Sequence, residues 1–198
     1  MHLLLIQADN IFDRQLRTSF YLRLILDEDN VMDGYLKRLQ DAILSATNGM
    51  SQETLVWRPE GKWSIAEILE HLYLTYVNSA KGFGRCLEAG KPLASALTFK
   101  QRLRITLVTG LGYFPEGREA PERVRPRGIA VETVMTEICP QLEALDQLIG
   151  KIEARDGRNM RIMDHPILGP LTAKQWRKFH WVHGQHHLKQ IERLKIAA

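Results

Sequence analysis

Phe179-His-Trp-Val-His183-Gly-Gln-His-His187-Leu-Lys-Gln190, near the end of the 198-residue chain, places four of its seven histidines within eight residues. Read as a helix at about 100° per residue, it sets Trp176, Phe179, His187, Gln190 and Leu194 within about 40° of His183, with Ile191 near 80°. His180 and His186 fall at the edge of that stripe. Lys174, Arg177, Lys178, Lys189, Glu192 and Lys195 lie about 120° or more away, the pattern of a solvated back. His183 and His187 are therefore stacked mid-stripe among apolar residues, at a spacing a metal ion can bridge. A buried imidazole needs a partner for each nitrogen, and two stacked rings repel if either is charged, which favours a ligand role.

A helix with such a face needs others to cover it, and the rest of the chain supplies them. Val31, Tyr35, Leu39, Ile43 and Ala46 make one stripe over 31–47, closed by Asn48-Gly49 as a stop signal. A second helix over 64–88 opens with Ser64-Ile-Ala-Glu67, a capping box in which serine and glutamate satisfy each other's amides. Thr98 to Gln101 repeats that cap and starts a shorter helix to about Thr109. Ile129 to about Ala154 is a third long helix, with Pro140 expected to kink it. Gly169-Pro170-Leu171-Thr172-Ala-Lys-Gln175 caps the histidine helix. Hardly any segment alternates as a strand does, so the expected fold class is all-α, a four-helix bundle.

Two segments stand outside that plan. Residues 1–30 hold a weaker helical pattern from Phe12 to Leu26 and read as an N-terminal arm to a bundle over 31–198. Residues 110–128, before the third long helix, carry three prolines, four glycines and the arginines 118, 123, 125 and 127, and read as a long loop. Those arginines could receive an anionic substrate, although a solvated charged loop explains them as well.

Composition narrows the function classes. The hydrophobic fraction is 44% and the charged fraction 25%, enough for a real core. A net charge of +4, spread along the chain, is too mild to imply nucleic acid. Cys86 and Cys139 have no C-x-x-C spacing and read as buried small hydrophobes in a reducing compartment, so a cytoplasmic location is expected. No signal peptide or membrane span is expected.

Of the other histidines only His71 is mid-helix. Glu67, Thr75 and Asn78 fall within about 40° of it, a polar strip beside the apolar face that could line a cavity and deliver a third ligand. Trp57-Arg-Pro-Glu-Gly-Lys-Trp63-Ser-Ile-Ala-Glu-Ile-Leu-Glu-His71-Leu, followed by His183-Gly-Gln-His-His187-Leu-Lys-Gln190-Ile, resembles the DinB (damage-inducible) superfamily of bacterial four-helix-bundle metalloproteins. The resemblance covers residues 31–195. It implies one divalent ion, zinc or nickel, on His71, His183 and His187, with open coordination positions as in catalytic sites.

That resemblance further implies a small-molecule substrate, with a low-molecular-weight thiol as one class, and a thiol-dependent transferase or hydrolase activity. The alternative is a non-catalytic, metal-stabilised stress-response or dimerising binding module, since bundles of this kind often pair as homodimers. Around the triad, Thr75 and Asn78 are pocket candidates, and Gln190 could bond a ligand imidazole. His186 is a substrate contact, an alternate ligand or a partly exposed helical residue. Glu67 is a candidate base whose capping role is already a sufficient structural reason. Trp63 and Trp176 read as core anchors, and the catalytic base stays unassigned.

Overall fold

Three of the four long helices begin where a side chain satisfies one of their first amides. The computed structural model of the chain describes residues 31–113 and 119–197; the arm over 1–30 and Arg118 lie outside them. Helix α1 spans Gly34–Thr47, with the Asp33 side chain accepting from Tyr35 N–H. A single turn, α2 (Gln52–Val56), is capped by Ser51. Helix α3 (Ile65–Glu88) starts on the expected capping box, Glu67 N–H to Ser64 Oγ at 3.1 Å and Ser64 N–H to Glu67 Oε2 at 2.7 Å. The Thr98–Gln101 box opens α4 (Phe99–Ile105), which runs on as a π-helical turn, Thr106–Gly110. Helix α5 (Val131–Asp156) continues through Pro140, and α6 spans Ala173–Ala197.

The fold is mainly helical. Helix α3 packs along α5 and α1 along α6, and further contacts of α1 with α5 and of α6 with α3 and α5 close the set. Leu36, Leu39 and Ile43 of α1 meet Leu69, Leu72 and Phe83 of α3, Ile138, Leu142 and Ile149 of α5, and Trp176 and Ile191 of α6 in one apolar cluster. Each such side chain contributes about 1.5–3 kcal/mol when fully buried.

Three features depart from the sequence reading. Before α6 lies an antiparallel hairpin, β1 (Arg161–His165) and β2 (Gly169–Thr172), which pairs Met163 with Leu171 and His165 with Gly169. Each strand is too short for alternation to show, and the pairing is irregular between Arg161 and Met163. The hairpin delivers Thr172, whose hydroxyl and amide exchange bonds with Gln175 at 3.3 and 3.0 Å, so the cap expected there is present.

The second departure is Arg177, which is not on a solvated back. Its side chain is 12% exposed, its Nε donates to Asp146 Oδ1 at 2.7 Å, and its Nη1 donates to Glu153. Asp146 also accepts the Asp33 amide at 2.6 Å, so one buried carboxylate joins the start of α1 to α5 and α6. Helical periodicity places a charge on a face but cannot see a counter-charge delivered by another helix.

Thirdly, Gly184 is a packing residue. A Cβ there would lie 2.3 Å from Leu39 Cδ1 and 3.3 Å from its Cγ, so the missing side chain lets α1 close on α6 between the two stacked histidines. Gly184→Ala is expected to lower the unfolding free energy by about 1–3 kcal/mol, measured by denaturant titration; unchanged stability would mean the helices are farther apart.

Candidate functional site

The two helices that carry the expected ligands meet in the core, and the structure brings His71 of α3 together with His183 and His187 of α6. The rings are 4%, 6% and 7% exposed. One nitrogen of each lies within 4.8 Å of the other two, and among the described residues no aspartate or glutamate joins this cluster. His183 Nε2 lies 3.2 Å from His71 Nε2 and 3.0 Å from His187 Nε2. Three nitrogens bound tetrahedrally at zinc-like distances would stand about 3.3 Å apart. The two separations made by His183 are therefore close to those of ligands about one ion.

Hydrogen bonding outside the cluster fixes which nitrogen faces inward. His71 Nδ1–H donates to the Val124 carbonyl at 2.8 Å, and His187 Nδ1–H donates to Gln190 Oε1 at 2.8 Å. Gln190 in turn donates from Nε2 to His186 Nε2 at 3.2 Å, which orients its amide. With their protons on Nδ1, His71 and His187 both point bare Nε2 lone pairs at His183. A proton on His183 Nε2 can serve only one of them, whereas a cation serves all three.

Burial is the first cause of a lowered pKa at every ring of the cluster. His183 is held well below its ordinary value by burial and then by His187 and His71. His187 is pushed down to about 3 by burial and His71, against the Gln190 bond. His71 is lowered by burial, against the raising effect of the Val124 carbonyl. Neutral imidazole is the form that binds a metal ion, so the environment holds the rings ready to ligate.

Aromatic rings wall the cluster. Phe179 stacks on His183 at 5.5 Å and 8°, and Trp63 lies against His71 at 5.2 Å and 44°. Trp63 also borders a surface cavity of about 380 Å³, shared with Arg58, Lys62 and Glu67.

The other sequence candidates divide. Gln190 supports His187 directly, and His186 sits one bond further out with its ring 5.1 Å from that of His187. Thr75 Oγ1 bonds the His71 carbonyl at 2.8 Å, and Asn78 Nδ2 bonds the carbonyls of Leu74 and Arg123 at 2.8 and 3.2 Å. Both spend their polar groups on backbone. Glu67 is held by the α3 cap and by Arg58 at 3.2 Å. Arg125 pairs with Glu119 and Glu122 within its own loop.

Sequence reasoning missed the Val124 carbonyl, because a backbone atom carries no residue-type signal. It also missed Glu70, a buried carboxylate accepting the amides of Arg127 and Gly128 at 2.8 and 3.2 Å, which pins the arginine loop to α3. His180, placed at the stripe's edge by its angle, is fully buried.

Residues 30–194 match a family described as a protein of unknown function, DUF1569. The chain belongs to this family. The matched span holds all three clustered histidines and the loop that orients His71. The chain is also similar to the uncharacterized protein YuaE of Bacillus subtilis (strain 168), 25% identical over 158 residues that cover 74% of this chain and 86% of that protein. No solved structure gives a significant match. Among the described residues no helix is long and apolar enough to cross a membrane.

The pKa shifts fix the sign of a pH effect. In the metal-free protein burial holds His180 and His187 near 3 and His165 near 4, whereas an unfolded chain titrates near 6.5. The unfolded state then takes up protons first as pH falls. Stability present above about 6.5 is expected to decline toward 4 and 3, by up to about 1.4 kcal/mol per pH unit for each such histidine. Denaturant midpoints at about pH 7.5 and 5.5 check this, and equal midpoints would contradict the burial of these rings.

Proposed function

We propose that the chain is a four-helix bundle of the DinB type in which His71, His183 and His187 hold one divalent ion, zinc or nickel, and that this centre acts on a small molecule. The observation that carries the reading is the convergence of three Nε2 atoms, with the opposite nitrogen occupied at His71 by the Val124 carbonyl and at His187 by Gln190. Three neutral nitrogen donors match the preference of zinc and nickel and leave coordination positions open. When bound, such an ion supplies Lewis acidity that lowers the pKa of a water or thiol sharing it.

Thiol-dependent transfer is favoured over hydrolysis by what surrounds the cluster. Hydrolysis calls for a base beside the attacking water, yet Glu67 and Glu70, the carboxylates nearest His71 in sequence, are engaged by backbone amides. Activating a thiol needs only that the metal stabilise its anion. The residues' own part is to present three lone pairs, to keep the rings neutral and to exclude water behind Phe179 and Trp63.

One observation favours a second reading. The cluster ties α3 to α6, with His71 also tied to the loop, so an ion there would knit distant segments even without catalysis. A metal-stabilised, non-catalytic module rests on that linkage.

Elemental analysis of the purified chain is expected to find about one ion per protein, lost in His71→Ala, His183→Ala and His187→Ala. Gln190→Ala should keep the fold and weaken metal affinity by about 10–100-fold. Full occupancy in the three histidine variants would remove the metal reading. A panel of small thiols assayed with defined metals then separates the two functional readings. Metal-dependent turnover supports the enzyme, and a metal-dependent melting temperature without turnover supports the module.

A further inference from the structure

One turn beyond the histidine cluster, along the same two helices, the core is polar again. His180 of α6, three residues before His183, faces Tyr76 of α3, five residues after His71, with ring centroids 5.6 Å apart and planes at 72°. Both side chains are 0% exposed. Among the described residues neither ring nitrogen of His180 and no atom near the Tyr76 hydroxyl completes a hydrogen bond. Trp176 stacks on His180 at 5.9 Å and 28°, and its Nε1 is likewise without an acceptor.

The chemistry of this layer is specific. A neutral imidazole offers one N–H and one lone pair, a phenol one O–H and two lone pairs, and an indole one N–H. Burial keeps His180 neutral and raises the Tyr76 hydroxyl far above its ordinary range, so both side chains stay uncharged donors and acceptors. Burying such groups without partners is costly, and a leucine with a phenylalanine would fill the same layer at no such cost. The rings packed against His180, those of Phe179 and Trp176, carry no charge, so what the layer lacks is a hydrogen-bond partner.

We propose that His180 and Tyr76 form a second binding site, separate from the three-histidine cluster, for one uncharged oxygen that both donates and accepts hydrogen bonds, as a water molecule or a hydroxyl group does. Such an oxygen donates to the bare imidazole nitrogen while accepting from the phenol, and the indole N–H adds a further donor on the same seam. His180 lies three residues, about 4.5 Å along α6, from His183, so a small molecule held at the cluster could extend a hydroxyl into the site. It stands whether or not the cluster holds a metal ion.

A crystal structure of the full chain, dialysed and solved at a resolution that orders water, tests the site together with Tyr76→Phe. An oxygen within about 3.2 Å of a His180 nitrogen and of the Tyr76 hydroxyl is expected, and it should be lost in Tyr76→Phe. An isolated atom identifies water. Density that continues into a larger molecule, with a matching mass released on denaturation, identifies a ligand hydroxyl. Melting temperature gives an independent reading, because Tyr76→Phe strips a bond from a bound oxygen and should lower it. A dry contact in the wild type, with the melting temperature raised by both Tyr76→Phe and His180→Leu, would overturn the proposal.

Discussion

Val124 lends its carbonyl to His71 Nδ1 at 2.8 Å, and through that bond the orientation of a core imidazole depends on the path of a loop 53 residues further along the chain. The loop has little apolar surface with which to hold itself. Helix α3 holds it instead, by Glu70 on the amides of Arg127 and Gly128, by His71 on Val124 and by Asn78 on the Arg123 carbonyl. These three residues share one side of α3, so a single helix face sets both the loop's course and the tautomer of the ring. Had His71 carried its proton on Nε2, an N–H would point at His183, and no common centre for three lone pairs would exist.

The second constraint is closeness. Gly184 lies on the flank of α6 beside the ligand face, about 100° round the helix from His183, and its missing side chain is what permits α1 to come so near. Leu39 occupies the space a side chain at 184 would need. The buried Asp146–Arg177 pair acts at the other end of the same interface, fixing the first turn of α1 to α6 through the Asp33 amide. A steric permission near the ligands and an ionic tie one end away set how α1 sits on α6, the helix that carries two of the three imidazoles.

How much of this could be read from residues alone follows from what residue types signal. The capping boxes at Ser64 and Thr98 and the Thr172–Gln175 cap located helix starts because both members lie within four positions of each other. His183 and His187 were legible because periodicity put them mid-stripe on one helix, and His71 because it fell on a polar strip beside the apolar face of another; the structure joins all three. His180 was misplaced because its burial is imposed by Tyr76 and Trp176, from another helix and from the next turn, rather than by its angle. Arg177 was misread for the same reason, its partners being supplied by α5. The hairpin escaped notice because five and four residues give alternation too little length. Glu67's capping role was legible from its spacing to Ser64, whereas Glu70's capture of a loop 57 residues away was not.

Those two glutamates bear on the chemistry open to the proposed centre. Either could supply a carboxylate beside His71, and each is instead spent on backbone amides that would otherwise be orphaned. Withdrawing Glu67 would uncap α3, at a cost of about 1 kcal/mol. Withdrawing Glu70 would leave a buried charge and two loop amides unpaired and release the segment that orients His71. The two roles therefore oppose each other: a carboxylate freed to act as a base would loosen the geometry that makes the three nitrogens converge. Under the proposed reading the site keeps its geometry and forgoes the base, which fits it to bind and polarise a nucleophile that ionises readily, as a thiol does, better than to deprotonate water.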